Sequence, residues 1–259
     1  STPRTSSAAS DVYKRQDNMC TFCVVPYTRG RERSRNPKSI IEECKSLILN
    51  GYKEVTLLGQ NVDSYLWYGG GAKKDFKKSS KKNQDSSVNF AQLLEMIASI
   101  NESLRIRFST SNPQDMTLDV INTMAKYKNI CNYIHLPVQS GSSKILKLMN
   151  RGYNREEYLH LIQEIKNRIP ECAISMDIIT GFCNEEEGDH QETLSLMDKI
   201  KYDYGYMFKY SERPNTRAQK KLTDNVKEAT KQRRLEEIIQ KQKEHSLFNM
   251  RKRVGNTYE

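Results

Sequence analysis

The chain's 259 residues are 36% hydrophobic and 29% charged, enough for one large domain or two small ones around a buried core. No apolar run reaches the roughly 18 residues of a membrane-spanning helix, which excludes a helical transmembrane protein. Lys and Arg outnumber Asp and Glu by 42 to 32, and the net charge of +10 favours a polyanionic partner such as RNA.

Six cysteines are present, and only Cys20 and Cys23 are close together, which excludes a secreted disulfide scaffold. The opening STPRTSSAASDVYKRQ has no apolar stretch of the signal-peptide kind. A reducing cytoplasm, no membrane and a monomer are expected.

In chain order, residues 1–16 offer only Val12 and Tyr13 as large apolar groups, and no strand is expected there. Asn36-Pro37 caps a helix carrying Ile40, Ile41, Cys44, Leu47 and Ile48, and Gly51 stops it. EVTLLG (54–59) reads as a buried strand. Gly69 to Ser87, with a Gly triplet and six lysines, reads as a mobile surface loop. Helices are expected over 89–100, 116–127, 143–150, 155–168, 188–200 and 224–251. Strands are expected over 105–110, 132–138, 173–182 and 205–211. This alternation predicts an α/β fold of βαβ units around a parallel sheet. Ligands in such folds sit past the carboxyl ends of the strands. The polar groups there are Gly59-Gln60-Asn61, Ser109 to Asn112, Gln139-Ser140-Gly141, Gly181 and Ser211 to Arg213.

The sharpest motif is Cys20-Thr21-Phe22-Cys23. A C-x-x-C pair could be half a zinc site, a redox pair or two ligands of an iron–sulfur cluster. No second C-x-x-C or H-x-x-H pair follows to complete a zinc site. The Val-Val-Pro segment and Arg-rich loop after Cys23 suit a thioredoxin-like helix start poorly.

CTFCVVPYTRGRERSR resembles the cluster loop of the radical-SAM methylthiotransferases. LLGQNVDSY (57–65), IRFSTSNPQDM (106–116), HLPVQSGS (135–142), LKLMNRGYNREEYL (146–159), DIITGF (177–182), DHQETLSLM (189–197) and MFKYSERPNTRA (207–218) look like further blocks of that family, in family order. The form LLGQNV-x-S-Y is most similar to the tRNA-modifying, MiaB-type branch.

The resemblance implies a radical-SAM partial (β/α)6 barrel. It implies a [4Fe–4S] cluster held by three cysteines, with S-adenosylmethionine on the open iron. The implied reaction is methylthiolation at C2 of N6-isopentenyladenosine beside the tRNA anticodon, with sulfur and electron donors as further partners. Cys20 and Cys23 would be cluster ligands, and Phe22 would pack near the adenine of S-adenosylmethionine. Gly59 and Gln60 would meet its amino group, and Ser109, Gln139, Ser140, Arg151 and Asp177 its carboxylate and ribose. Arg29, Arg31, Arg33 and Arg35 would meet substrate phosphates or be solvated.

The chain departs from the family at Gln16, where the first cluster cysteine is expected. Together with the polar stretch around it, this suggests that residues 1–16 are a non-native or truncated leader and that the barrel lacks its native first strand. Residues 17–247 would be the radical-SAM core, and 248–259 the beginning of an RNA-binding TRAM barrel. The auxiliary [4Fe–4S] cluster of the family would belong to an N-terminal domain. Cys44, Cys131, Cys172 and Cys183 are expected in core or shielded positions, His135 as a satisfied structural residue, and His190 in solvent. Two other functions remain in view: methylthiolation of ribosomal protein S12, and a non-catalytic basic RNA-binding fragment whose cysteines bind zinc.

Overall fold

The computed structural model describes residues 7–11, 13–14, 20–25 and 33–257. They divide into two compact units. The first comprises Ser1–Asn18, Val25–Ile134 and Glu164–Cys172, and the second Met19–Val24, His135–Gln163 and Ala173–Glu259.

The first unit is built on a three-stranded sheet of β1 (Ser7–Asp11), β2 (Glu54–Leu58) and β3 (Arg105–Ser109), in that order. Both pairings are parallel, from Ser7↔Glu54 to Asp11↔Leu58 and from Glu54↔Arg105 to Leu58↔Ser109. Alternation explains β2, because Val55 and Leu57 are fully buried while Glu54, Thr56 and Leu58 are half-buried. The presence of β1 corrects the expectation that no strand forms within residues 1–16. An open strand edge recruits a neighbour through backbone N–H and C=O groups, a bond that needs no large apolar side chain.

Helices of the first unit start where their caps dictate. In α1 (Pro37–Leu49) the Asn36 side chain accepts from the backbone N–H of Lys38, Pro37 takes the first turn, and Ile40 and Cys44 are buried. Asn89 and Gln92 form a capping box for α2 (Phe90–Ala98), which buries Leu93, Leu94 and Ile97. Thr117 caps α3 (Leu118–Lys126).

The lysine-rich stretch is not the irregular loop expected. It contains a 3-10 segment, Lys73–Lys78, and a short helix, Lys81–Asp85. Ser80 caps the helix, and the Gln84 amide donates to the carbonyls of Phe76, Lys77 and Ser79. Local side-chain to backbone bonds of this kind hold structure that apolar periodicity does not announce.

The second unit takes in only His135 of β4 (Tyr133–His135), together with β5 (Ala173–Thr180) and β6 (Tyr204–Lys209), in a sheet of order β6-β5-β4. β5 and β6 pair in parallel, from Tyr204↔Ser175 to Lys209↔Thr180. β4 is shorter than expected because Pro137 has no N–H to donate. The chain nevertheless stays against β5, with Leu136 N donating to Ser175 O (2.8 Å) and Gln139 N to Asp177 O (2.8 Å). α4 (Ser143–Leu148), α6 (Glu187–Ile200), α7 (Arg217–Lys221) and the 26-residue α8 (Glu228–Arg253) complete this unit. Helix α5 (Arg155–Arg168) begins in it and ends in the first. α8 takes in Arg251 to Arg253, so the start of RKRVGNTYE is helical. α8 packs on β6 and α6. His190, expected in solvent, is buried there, with its Nε2 2.6 Å from Glu237 Oε2 of α8. The five strands expected after Cys23 are all present, in an α/β arrangement.

Candidate functional site

The cysteine motif lies in the second unit as a tight turn, closed by a bond from Cys23 N to Cys20 O (3.2 Å). Thr21 anchors it. Its N–H donates to Met149 O (3.0 Å), its hydroxyl to Leu148 O (2.9 Å), and its carbonyl accepts from Ala218 N (2.7 Å). Half-buried Phe22 meets Phe182 edge-on at 6.4 Å and packs on the cluster of Ile145, Met149, Phe182, Cys183, Tyr210 and Ala218. Phe182 follows β5 through Gly181, whose φ of +66° and 2.3 Å approach of a would-be Cβ to Lys231 Cγ admit only glycine. The turn therefore rests beyond the carboxyl end of β5.

Arg151 is buried behind the turn, flanked by Asn150 (φ 57°) and Gly152 (φ 70°), both left-handed. Its Nη1 donates to Cys20 Sγ at 3.2 Å, Nε to the Tyr153 hydroxyl at 2.9 Å and Nη2 to Pro137 O at 3.1 Å. Burial disfavours the guanidinium charge, but the Tyr153 oxygen and the Cys20 sulfur outweigh it, and the pKa is raised. Among the described residues no carboxylate pairs with Arg151. A buried cation needs a counter-charge, and of the two ionisable groups beside it the Cys20 sulfur is better able to supply one, because a thiol ionises more readily than a phenol and burial raises the Tyr153 hydroxyl further. The periodic reading missed this partner because the two residues are 131 positions apart.

The other candidates of this unit are held largely by the fold. Gln139 has φ 73° and bridges β5 with both backbone groups. Ser140 is buried, with its hydroxyl accepting from Ser142 N at 3.2 Å. Asp177 is half-buried on β5, 3.4 Å from His135 Nε2, too far for a good hydrogen bond. His135 Nδ1 lies 2.8 Å from Ser175 Oγ.

Gly59, Gln60 and Ser109 lie in the first unit, past or at the ends of β2 and β3. The buried oxygens Gln60 Oε1, Asn61 Oδ1 and Asp63 Oδ2 have no partner among the described residues. Asp63 accepts from Ser111 Oγ (2.9 Å) through its other oxygen, and Asn61 donates to Asp115 (2.6 Å). Asn61, Asp63 and Asp115 were not singled out from sequence, although Asn61 belongs to a strand-end polar group. Burial pushes the Asp63 carboxyl well above its ordinary value of 3.8. The folded state therefore holds that proton more tightly than the unfolded chain, a stabilisation complete below 3.8 and lost as pH rises through the raised value. Asp63→Asn should gain stability relative to the parent above about pH 4, the gain widening toward neutral pH. Denaturant midpoints between about pH 3 and about pH 8 test this, and a gap that does not change with pH contradicts it.

Of the loop arginines, Arg29, Arg31 and the position Gln16 lie outside the described residues. Arg33 is exposed, whereas Arg35 pairs with Glu43 and donates to Ser39 O (3.2 Å). Glu187, His190 and Glu237 lie close enough to hold an ion, but Arg233 pairs with both carboxylates and Arg234 with Glu187. Those charges are already balanced.

A family model described as "Radical SAM superfamily" matches residues 17–197. Two similar curated relatives are both described as tRNA-2-methylthio-N(6)-dimethylallyladenosine synthase. The one from Christiangramia forsetii is 62% identical over 253 residues, 98% of this chain and 53% of that protein. The one from Karelsulcia muelleri is 61% identical over 240 residues, 93% of this chain and 53% of that protein. The chain thus spans about half the length of the curated relatives it matches. Among solved structures, coproporphyrinogen III oxidase (HemN) from Escherichia coli aligns with a TM-score of 0.58 at 16% identity, over 92% of this chain and 52% of that one. The radical S-adenosylmethionine methyltransferase TsrM from Kitasatospora setae aligns with a TM-score of 0.60 at 14% identity, over 83% and 38%. At such identities the likeness is one of fold.

Proposed function

This chain belongs to the radical SAM superfamily, and from that membership we propose that it is the catalytic part of a tRNA methylthiotransferase, acting at C2 of N6-isopentenyladenosine in a partial (β/α)6 barrel. The relatives named for that product, at 62% and 61% identity, favour tRNA over ribosomal protein S12. A cytoplasmic enzyme using tRNA with sulfur and electron donors follows from the same reading. The single observation that carries it is the Cys20–Cys23 turn with the Arg151 cation against the Cys20 sulfur.

These residues fit an iron–sulfur cluster in part. Cys20 and Cys23 would be two protein ligands, and Arg151 would balance the negative charge of a metal-bound thiolate. Gln16, where the first cluster cysteine is expected, has a neutral amide that does not substitute for a thiolate. When bound, the cluster supplies the electron that splits S-adenosylmethionine. The protein's share is placement. Phe22 would offer a ring face to the cofactor, and Gln139, Ser140 and Asp177 of the same unit are proposed around it. In the first unit, Gln60 Oε1 has no partner among the described residues and is suited to accept from an ammonium group.

Anaerobic reconstitution with iron and sulfide tests the reading. Cys20→Ser and Cys23→Ser should each abolish bound iron and sulfide, while Cys44→Ser, in a buried helix position, should retain them. Zinc binding without sulfide uptake would favour the non-catalytic RNA-binding reading.

A further inference from the structure

A cavity of about 840 Å3 in the second unit lies beside the cysteine turn, with Thr21 in its wall. Four cations surround it. Lys144 and Lys147 come from α4 at i,i+3, and Arg217 and Lys221 from α7 at i,i+4, so each pair shares a helix side. Lys144 is neutralised by Glu186 and Asp189, each at 3.0 Å. The side chains of Lys147, Arg217 and Lys221 meet no acceptor among the described residues. Three unbalanced charges converging on one concave surface repel each other, and their field is strongest inside the cavity.

We propose that this cavity seats a nucleotide of the RNA substrate, with its phosphate on Lys147, Arg217 and Lys221 and its sugar against Leu148 and Leu222. Two observations select RNA over an acidic protein, and a third adds attraction for any polyanion. The volume falls within the roughly 300–1,000 Å3 of sites that enclose a small-molecule-sized group. The walls combine cations with the amides of Asn150 and Asn184 over an apolar floor, a mixture suited to a projecting nucleotide. The whole chain carries +10, so its long-range field already draws polyanions. The choice of RNA rests on the RNA-modifying function proposed above; the anion site rests on the charges alone.

Position gives the site a consequence. Thr21 holds the end of α4 through Leu148 O and Met149 O, and α7 through Ala218 N. The two cation-bearing helices are therefore tied to the cysteine turn by one residue, and a phosphate drawing them together would brace that turn.

The test uses the whole chain, a fluorescent stem-loop RNA and a fluorescent polyglutamate, with anisotropy read over a salt series. Lys147→Gln/Arg217→Gln/Lys221→Gln should bind RNA about 10–100-fold more weakly, with the salt slope reduced by about 1 for the one phosphate released. The single variants Arg217→Gln and Lys221→Gln, in exposed or half-exposed positions, should each weaken binding and lower the slope by less than the triple variant does, and they guard against loss of fold. Lys77→Gln/Lys78→Gln, exposed in the first unit, should leave the slope nearly unchanged. Unchanged RNA affinity in the triple variant, or a parent chain that does not bind RNA, overturns the site. Equal binding of polyglutamate and RNA, lost together, overturns the choice of RNA. Iron uptake by the same proteins is scored separately, so failure of the cluster reading leaves the salt slopes to be judged alone.

Discussion

Gln16→Cys should convert this chain from one that holds a labile or smaller cluster into one approaching four irons per chain, with cleavage of S-adenosylmethionine appearing only then. The reason is coordination. A cluster of four irons with one open position needs three protein thiolates, and Cys20 and Cys23 supply two. A Gln amide is a weak neutral oxygen donor, and soft iron–sulfur centres select thiolates. With two ligands, a labile or smaller cluster is the expected product. Restoration should be partial, since the new thiol must also be positioned, and misplacement by about 1 Å is costly in such sites. The paired β1 argues for better support than the polar sequence suggested, because Ser7–Asp11 hydrogen-bonds along the whole of β2. Assayed alone, these 259 residues span about half of the relatives' length, and methylthiolated tRNA is not expected from either form. Anaerobic reconstitution followed by iron, deoxyadenosine and tRNA analysis decides the matter. A stable four-iron cluster in the unaltered chain would falsify the ligand argument.

The strand–helix alternation was readable from sequence because its signals are local. α1 shows its Asn-Pro start, apolar stripe and Gly stop within 16 residues, and the structure follows them. β2 and β5 likewise show in their own composition. What could not be read depends on partners distant in the chain. β1 is a strand because β2 offers it an edge, and Ser-Ala-Ala-Ser-Asp carries no apolar alternation to say so. His190 looks solvated in a charged helix start, yet α8 arrives 47 residues later and buries it against Glu237. The C-x-x-C motif was evident, whereas the partner behind it was not. Arg151 reads as a contact for the carboxylate of the cofactor, and nothing nearby in the chain announces that its guanidinium meets the Cys20 sulfur.

Arg151→Met should leave the metal-free fold nearly intact and weaken iron retention about 10–100-fold, the usual cost of losing a partner that orients a metal ligand. Met matches much of the Arg stem, so packing against Tyr153 largely survives. The metal-free protein loses a buried cation that has no carboxylate partner, and removing an uncompensated charge costs little. With iron bound, the balance reverses. Cys20 would then be an anion 5% exposed to solvent, and without the guanidinium at 3.2 Å its charge would face a low-dielectric wall. Arg151→Lys should recover only part of the effect. An ammonium restores charge but cannot reach Cys20, Tyr153 and Pro137 O in the planar geometry of three guanidinium nitrogens. A strictly structural Arg151 would show another pattern, with thermal midpoint and iron retention falling together in both variants. Iron release to a chelator, measured beside the melting temperature of the metal-free proteins, separates the two. The assignment of Arg151 as the counter-charge of Cys20 fails if Arg151→Met retains iron as well as the parent.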